Sequence, residues 1–296
     1  MKVHFRPDLL LVALVAAVSV AWSQEPKAIP ASEANRHLIK SVAPDYPKMA
    51  EIAHIQGRVQ LTATISREGA VTDVKAFMGH PLLLNSALQA VKQWTYQPFV
   101  VDGVAVPVRT PVYLLFVTGP GAEEARKYFQ QEIECTDLLH AKRFDEAASS
   151  CNSALQTANQ LGSDPLSFKA DAYSHAGQAA FQLTRFSEAV QDFQESLKLG
   201  KRDSFEAHHD LAAALQSAGQ AEQAESEYRA CEKALDGQSK QLQQINSDEV
   251  RSRQKAQLQK RLSQILQEHA ALLREMGRNT EADNLERQAK SLEVSN

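Results

Sequence analysis

The back half of the chain repeats itself, and this periodicity limits its fold more than any other feature. RFDEAASSCNSAL around Ala147, RFSEAVQDFQESL around Ala189 and AEQAESEYRACEKAL around Ala224 align on those alanines, with GRNTEADNLERQAKSL around Ala282 as a weaker fourth copy. Each copy predicts a helical hairpin with one apolar face. A single hairpin cannot bury that face, so the copies must stack on one another. The spacings are 42, 35 and 58 residues. LGSDPLSF, from Leu161 to Phe168, accounts for the surplus in the first spacing as a turn. In the third, Leu258, Leu262, Ile265, Leu266, Leu272 and Leu273 share one helical face, which predicts an extended helix and not a separate domain.

A small residue on the first helix, then alanine and an aromatic residue on the second, resembles the tetratricopeptide repeat. Gly177, Phe186, Ala189 and Phe193 carry the pattern in the second copy, and Ala212, Ala224 and Tyr228 in the third. The resemblance implies an all-α solenoid over residues 128–296 with a concave groove that binds partners and does not usually catalyse. First-helix positions facing away from the packed side are the candidate groove residues: Glu132 and Thr136, then Asp171, Ser174 and Gln178, then Glu206 and His209, with Ala213 beside them. This acidic or neutral set reads either as a solvated face or as a groove for polar or basic peptides.

The front half follows a different period. Val59, Leu61, Ala63 and Ile65 alternate with Gln60, Thr62, Thr64 and Ser66, as in a strand with one buried face. Arg67, Glu68 and Gly69 form a short turn before a second β-rich run, Ala70 to Met78, which completes a hairpin. Leu84, Ala87, Leu88, Val91 and Trp94 then adopt helical spacing. A last β-like run, Val104 to Val117, carries Pro107 and Pro111, which cannot donate to a ladder and place it on an edge.

PDYPKMA at Pro44 to Ala50, GRV at Gly57, the hairpin, LLNSALQAVKQWTYQPF from Leu83 to Phe99, Gly103 and the closing strand together resemble the C-terminal domain of the TonB family. The resemblance covers about a quarter of the chain. It implies an α+β module over residues 42–118, a three-stranded antiparallel sheet with helices on one face, that receives an extended peptide at its exposed edge. Both prolines share one strand parity. The expected receiving positions are therefore Val112, Tyr113, Leu114, Leu115 and Phe116, where donors remain.

Lys2 and Arg6 precede an apolar run from Leu9 to Ala21, followed by small residues at signal-peptidase spacing, so residues 1–23 read as a secretory signal. Residues 24–41 and 119–127 read as linkers. Net charge is +2 over residues 24–118 and −7 over residues 119–296, which supports a boundary near Gly119. A whole-chain charge of −4, without a basic run, argues against nucleic acid as a partner.

In an exported chain, three cysteines invite one disulfide. Cys135 and Cys151 lie eight residues either side of Arg143, the midpoint of the first hairpin's turn, so antiparallel helices bring them level; Cys231 sits at a packed position as a buried thiol. His208 and His209 point to different sides of a helix, and no metal-binding, nucleotide-binding or serine-hydrolase motif is present. The expectation is a non-enzymatic periplasmic interaction protein without cofactor. Its partner would be an extended peptide or an outer-membrane or periplasmic protein, and the small open sheet would allow a homodimer through edge strands. The alternative is a membrane-anchored TonB-type energy transducer that keeps residues 1–23.

Overall fold

The computed structural model describes residues 25–162, 166–201, 204–242 and 248–294, so the expected signal segment lies outside the described residues. The front module contains β1 (Lys27–Ala28), α1 (Ala31–Arg36), β2 (Leu38–Lys40), α2 (Lys48–Ile52), β3 (Gly57–Ile65), β4 (Val71–Met78), α3 (Pro81–Val91), β5 (Thr95–Tyr96), β6 (Val100–Val101), β7 (Val104–Ala105) and β8 (Val108–Phe116). Its main sheet has the order β1-β8-β3-β4. The three long strands are antiparallel, and β8 pairs with β3 from Gly57↔Phe116 to Ile65↔Val108. The inward side chains predicted by alternation, Val59, Leu61, Ala63 and Ile65, are fully buried with Leu83, Ala87, Val91 and Tyr96. The β3–β4 turn depends on Gly69: its φ is 84°, and a Cβ there would lie 1.9 Å from the Tyr96 carbonyl oxygen.

The sequence reading missed two features here. Residues 24–41 are not a linker, because they contain β1, α1 and β2. The sheet accordingly has four strands, the fourth being the short parallel β1. Strand β8 is also not the outer edge, since β3 flanks it on one side and β1 flanks its start on the other. The open edge belongs to β4, where register shifts at both ends and the exposed Asp73 and Lys75 discourage pairing with another chain.

The back module runs α4 (Ala122–His140), α5 (Phe144–Asn159), α6 (Phe168–Gln182), α7 (Phe186–Ser196), a π turn at Leu197–Lys201, α8 (Phe205–Ser217), α9 (Ala221–Leu242), α10 (Asp248–Glu275) and α11 (Asn279–Val294). Helix α4 begins inside the segment read as the second linker. The helices pair as α4/α5, α6/α7, α8/α9 and α10/α11, and successive pairs stack. The surplus before the fourth copy is taken up by the lengths of α9 and α10. Repeat packing is explicit at Gly177, where a Cβ would come 2.8 Å from the Phe193 ring, so the small residue and the aromatic residue of the motif meet. The structure joins Cys135 of α4 to Cys151 of α5 by a disulfide and buries Cys231 as a free thiol.

Candidate functional site

The outward face of the sheet is built by the residues that alternate with its core. On β3 this set begins with Arg58, and on β8 it includes Tyr113 and Leu115, which pack with Ala31 of α1 and with Phe129 and Ile133 of α4. This face therefore meets the helical array on the side of α4 and α6, the first helices of its first two pairs. Arg58 enters that side directly. Its guanidinium lies 2.8 Å from Asp171 of α6 and 3.3 Å from Glu132 of α4, 4.7 Å from the Phe168 ring centroid and 5.8 Å from that of Phe129. Burial alone would lower the guanidinium pKa, but the two carboxylates outweigh it and hold Arg58 above its ordinary value. Burial, reinforced by Glu132, pushes the adjacent Tyr128 phenol up.

The groove positions expected from helical phase fall into three groups. Glu132 and Asp171 face the front module through Arg58, and Ser174 beside them is buried, so these three are occupied within the chain. Glu206 pairs with Arg261 of α10 at 3.2 Å, and Arg261 lies over the Phe205 ring. Thr136, Gln178 and His209, together with Ala213, line an open cavity of about 850 Å³ floored by Leu139 and Phe181. In it Gln178 donates to Asp210 at 3.2 Å. The His209 imidazole lies 2.5 Å from Glu268, and this hydrogen bond raises its pKa despite opposing burial.

Strand β8 also differs from expectation. The Val112, Leu114 and Phe116 side chains point into the front core, while Tyr113 and Leu115 pack under α1 and α4. On its free side, Lys27 donates to the Pro107 carbonyl at 3.0 Å and Ile29 to the Arg109 carbonyl at 2.9 Å. Parity puts the backbone groups of Pro111, Tyr113 and Leu115 on this same rim. Helix α1 follows directly and is tied to the array by Ser32 N–H donating to Asp137 at 2.6 Å. Strand β1 thus occupies the start of this rim, at Val108 and Arg109, and the side chains of residues 112–116 are packed within the chain. The signal missed was PKAIP, residues 26–30, which is too short and too proline-flanked to read as a strand.

Among the described residues, no group of three or more His, Cys, Asp and Glu side chains is arranged to hold a metal, and no helix is long and apolar enough to cross a membrane. The architecture is a small α+β module seated on a tetratricopeptide-type solenoid.

Comparison with known proteins places the front module. Residues 42–117 match the family model of the Gram-negative bacterial TonB protein C-terminal domain. Protein TonB of Pseudomonas aeruginosa is 30% identical over 96 residues, covering 31% of this chain and 28% of the relative. Protein TonB of Vibrio cholerae is 32% identical over 77 residues, covering 25% and 32%. The chain therefore spans less than a third of the length of these relatives. Among solved structures, the solution NMR structure of the Pseudomonas aeruginosa TonB C-terminal domain is 26% identical, covering 27% of this chain and 84% of that one at a TM-score of 0.25. A crystal structure of MamA is 14% identical, covering 59% of this chain and 83% of that one at a TM-score of 0.44.

Proposed function

We propose that the chain is a non-enzymatic interaction protein on the periplasmic side of the cell envelope. In this reading the TonB-type module serves as a fixed cap on the helical array, and partners dock in the open half of the groove at Thr136, Gln178 and His209. The observation that carries the reading is the Arg58 contact. It fills one half of the concave face from within the chain and leaves the other half open. The test places a photo-crosslinking residue at Gln178 in the intact protein in its own envelope, with a second probe at exposed Phe77 as control. A partner captured at Gln178 and lost when Ala213→Arg fills the cavity supports the reading. Capture unchanged by Ala213→Arg overturns it.

A second reading, a membrane-anchored energy transducer, is favoured by the match of residues 42–117 to TonB. It requires a retained N-terminal segment and an uncovered β8 rim. A mature N-terminus at Gln24, read by mass spectrometry of the intact protein, ends it, because a detached chain cannot draw on the proton gradient.

A further inference from the structure

Three histidine–glutamate pairs join α8, α9 and α10 in a closed triangle. His208 of α8 lies 2.6 Å from Glu227 of α9, His209 of α8 lies 2.5 Å from Glu268 of α10, and His269 of α10 lies 2.7 Å from Glu232 of α9. Each pair of these helices carries one such histidine–glutamate contact. Tyr228 sits inside the triangle, with its ring stacked on His269 at 5.5 Å and 6.4 Å from the His209 ring. Of these residues the docking role above uses His209 alone.

We propose that the triangle is a proton-sensitive junction that sets how firmly the last hairpin, α10/α11, is held on α8/α9. An imidazolium–glutamate pair adds ionic attraction to a hydrogen bond, whereas a neutral imidazole keeps at most the hydrogen bond. His269 is nearly fully buried, with its second ring nitrogen unpartnered, so its surroundings are poorly screened by water. The other titratable and charged groups facing the junction are Glu206 and Asp210 on α8, Glu225 and Cys231 on α9, Arg261 and Glu275 on α10, Arg278 just before α11 and Glu281 within it. The Arg261–Glu206 and Arg278–Glu225 pairs also bridge the last hairpin to α8 and α9. They keep the hairpin attached when the imidazoles are neutral, so the change is a loosening and not a release.

The direction follows from His209 and Glu268. His209 has a raised folded pKa, so its contribution is complete below its unfolded value of 6.5 and fades as pH rises through the higher folded value. Glu268 has a lowered pKa, so its contribution is present above 4.5 and is lost as pH falls through the lower folded value. The junction is therefore tightest between these limits.

The test is amide hydrogen exchange on the full mature chain at pH 6 and pH 8.5, corrected for intrinsic rates, with α5 as the internal reference. Protection in α10 and α11 should fall about tenfold relative to α5 from pH 6 to pH 8.5, the scale that separates a charge-assisted from a neutral hydrogen bond. His209→Gln, at a partly exposed position, should remove several-fold of that difference while leaving pH 8.5 protection close to the parent. Glu268→Gln provides a second route to the same readout should His209→Gln perturb folding. Equal change in α5 and α10, or a variant that keeps the parental pH response, overturns the proposal.

Discussion

The Arg58 guanidinium on β3 and the Asp171 carboxylate on α6 meet at 2.8 Å across the boundary between two modules of different period, 113 residues apart in sequence. Glu132 completes the contact from α4 and is almost entirely buried. Besides this contact the two folds meet through the apolar packing of Tyr113 and Leu115 and the Ser32–Asp137 hydrogen bond.

Arg58→Ala should therefore cost about 3 kcal/mol, the lower end of the range for removing one member of a buried ion pair, because the buried Glu132 loses its guanidinium partner. Arg58→Met combined with Glu132→Gln should recover part of the loss. Urea titration followed by tryptophan emission, which reports the front module through Trp94, checks both. Single-transition unfolding of Arg58→Ala at parental stability would rule the coupling out.

Asp192, on α7, has its pKa raised to about 6 from 3.8 by burial and then by Glu188. Below 3.8 both states hold the proton. Between 3.8 and about 6 the unfolded chain releases it first, so stability falls as pH rises through that window. Asp192→Asn should raise stability at pH 7 by about 1 kcal/mol, discounted for partial exposure, and have no effect at pH 3. Thermal melts at the two pH values measure this.

Gly177→Ala should destabilise the array by about 1–3 kcal/mol even though alanine is the better helix former, because the new methyl meets the Phe193 ring at 2.8 Å. Denaturant midpoints decide the sign, and a stabilised variant would mean that the α6/α7 contact relaxes freely.

Under native conditions no thiol should react with iodoacetamide. Cys135 and Cys151 are bonded to each other, and burial pushes the Cys231 thiol up to about 12. After denaturation without reductant one site should alkylate, and with reductant three. Replacing both Cys135 and Cys151 by serine should cost about 3 kcal/mol for a loop of this size.

Deleting residues 25–36 should expose Tyr113, Leu115 and the β8 rim together, and a sheet with a newly opened edge self-associates. Sedimentation velocity should show dimers or larger species where the parent chain shows its own distribution.

The parts of this structure legible in sequence were those with a sustained period. The alternation from Val59 to Ile65 and the alanine-aligned hairpins located β3, the β3–β4 turn and most of the array. Helical phase singled out Glu132 and Asp171 as candidate groove positions, but it could not show that they meet Arg58 of the front module. Arg58 itself read only as an outward residue of a strand. Segments too short to establish a period were missed: two-residue β1 and six-residue α1 carry no pattern, and their proline-flanked surroundings resemble a connector. The three His–Glu pairs were missed because each links residues on different helices.

The stretch from Lys27 to Arg36 bonds first to β8 and then, through Ser32, to α4. A mechanical load applied at Glu25 would thus be shared at once between the sheet and the first hairpin. The two modules would bear tension in parallel, with α4 braced to α5 by the Cys135–Cys151 disulfide in the load path.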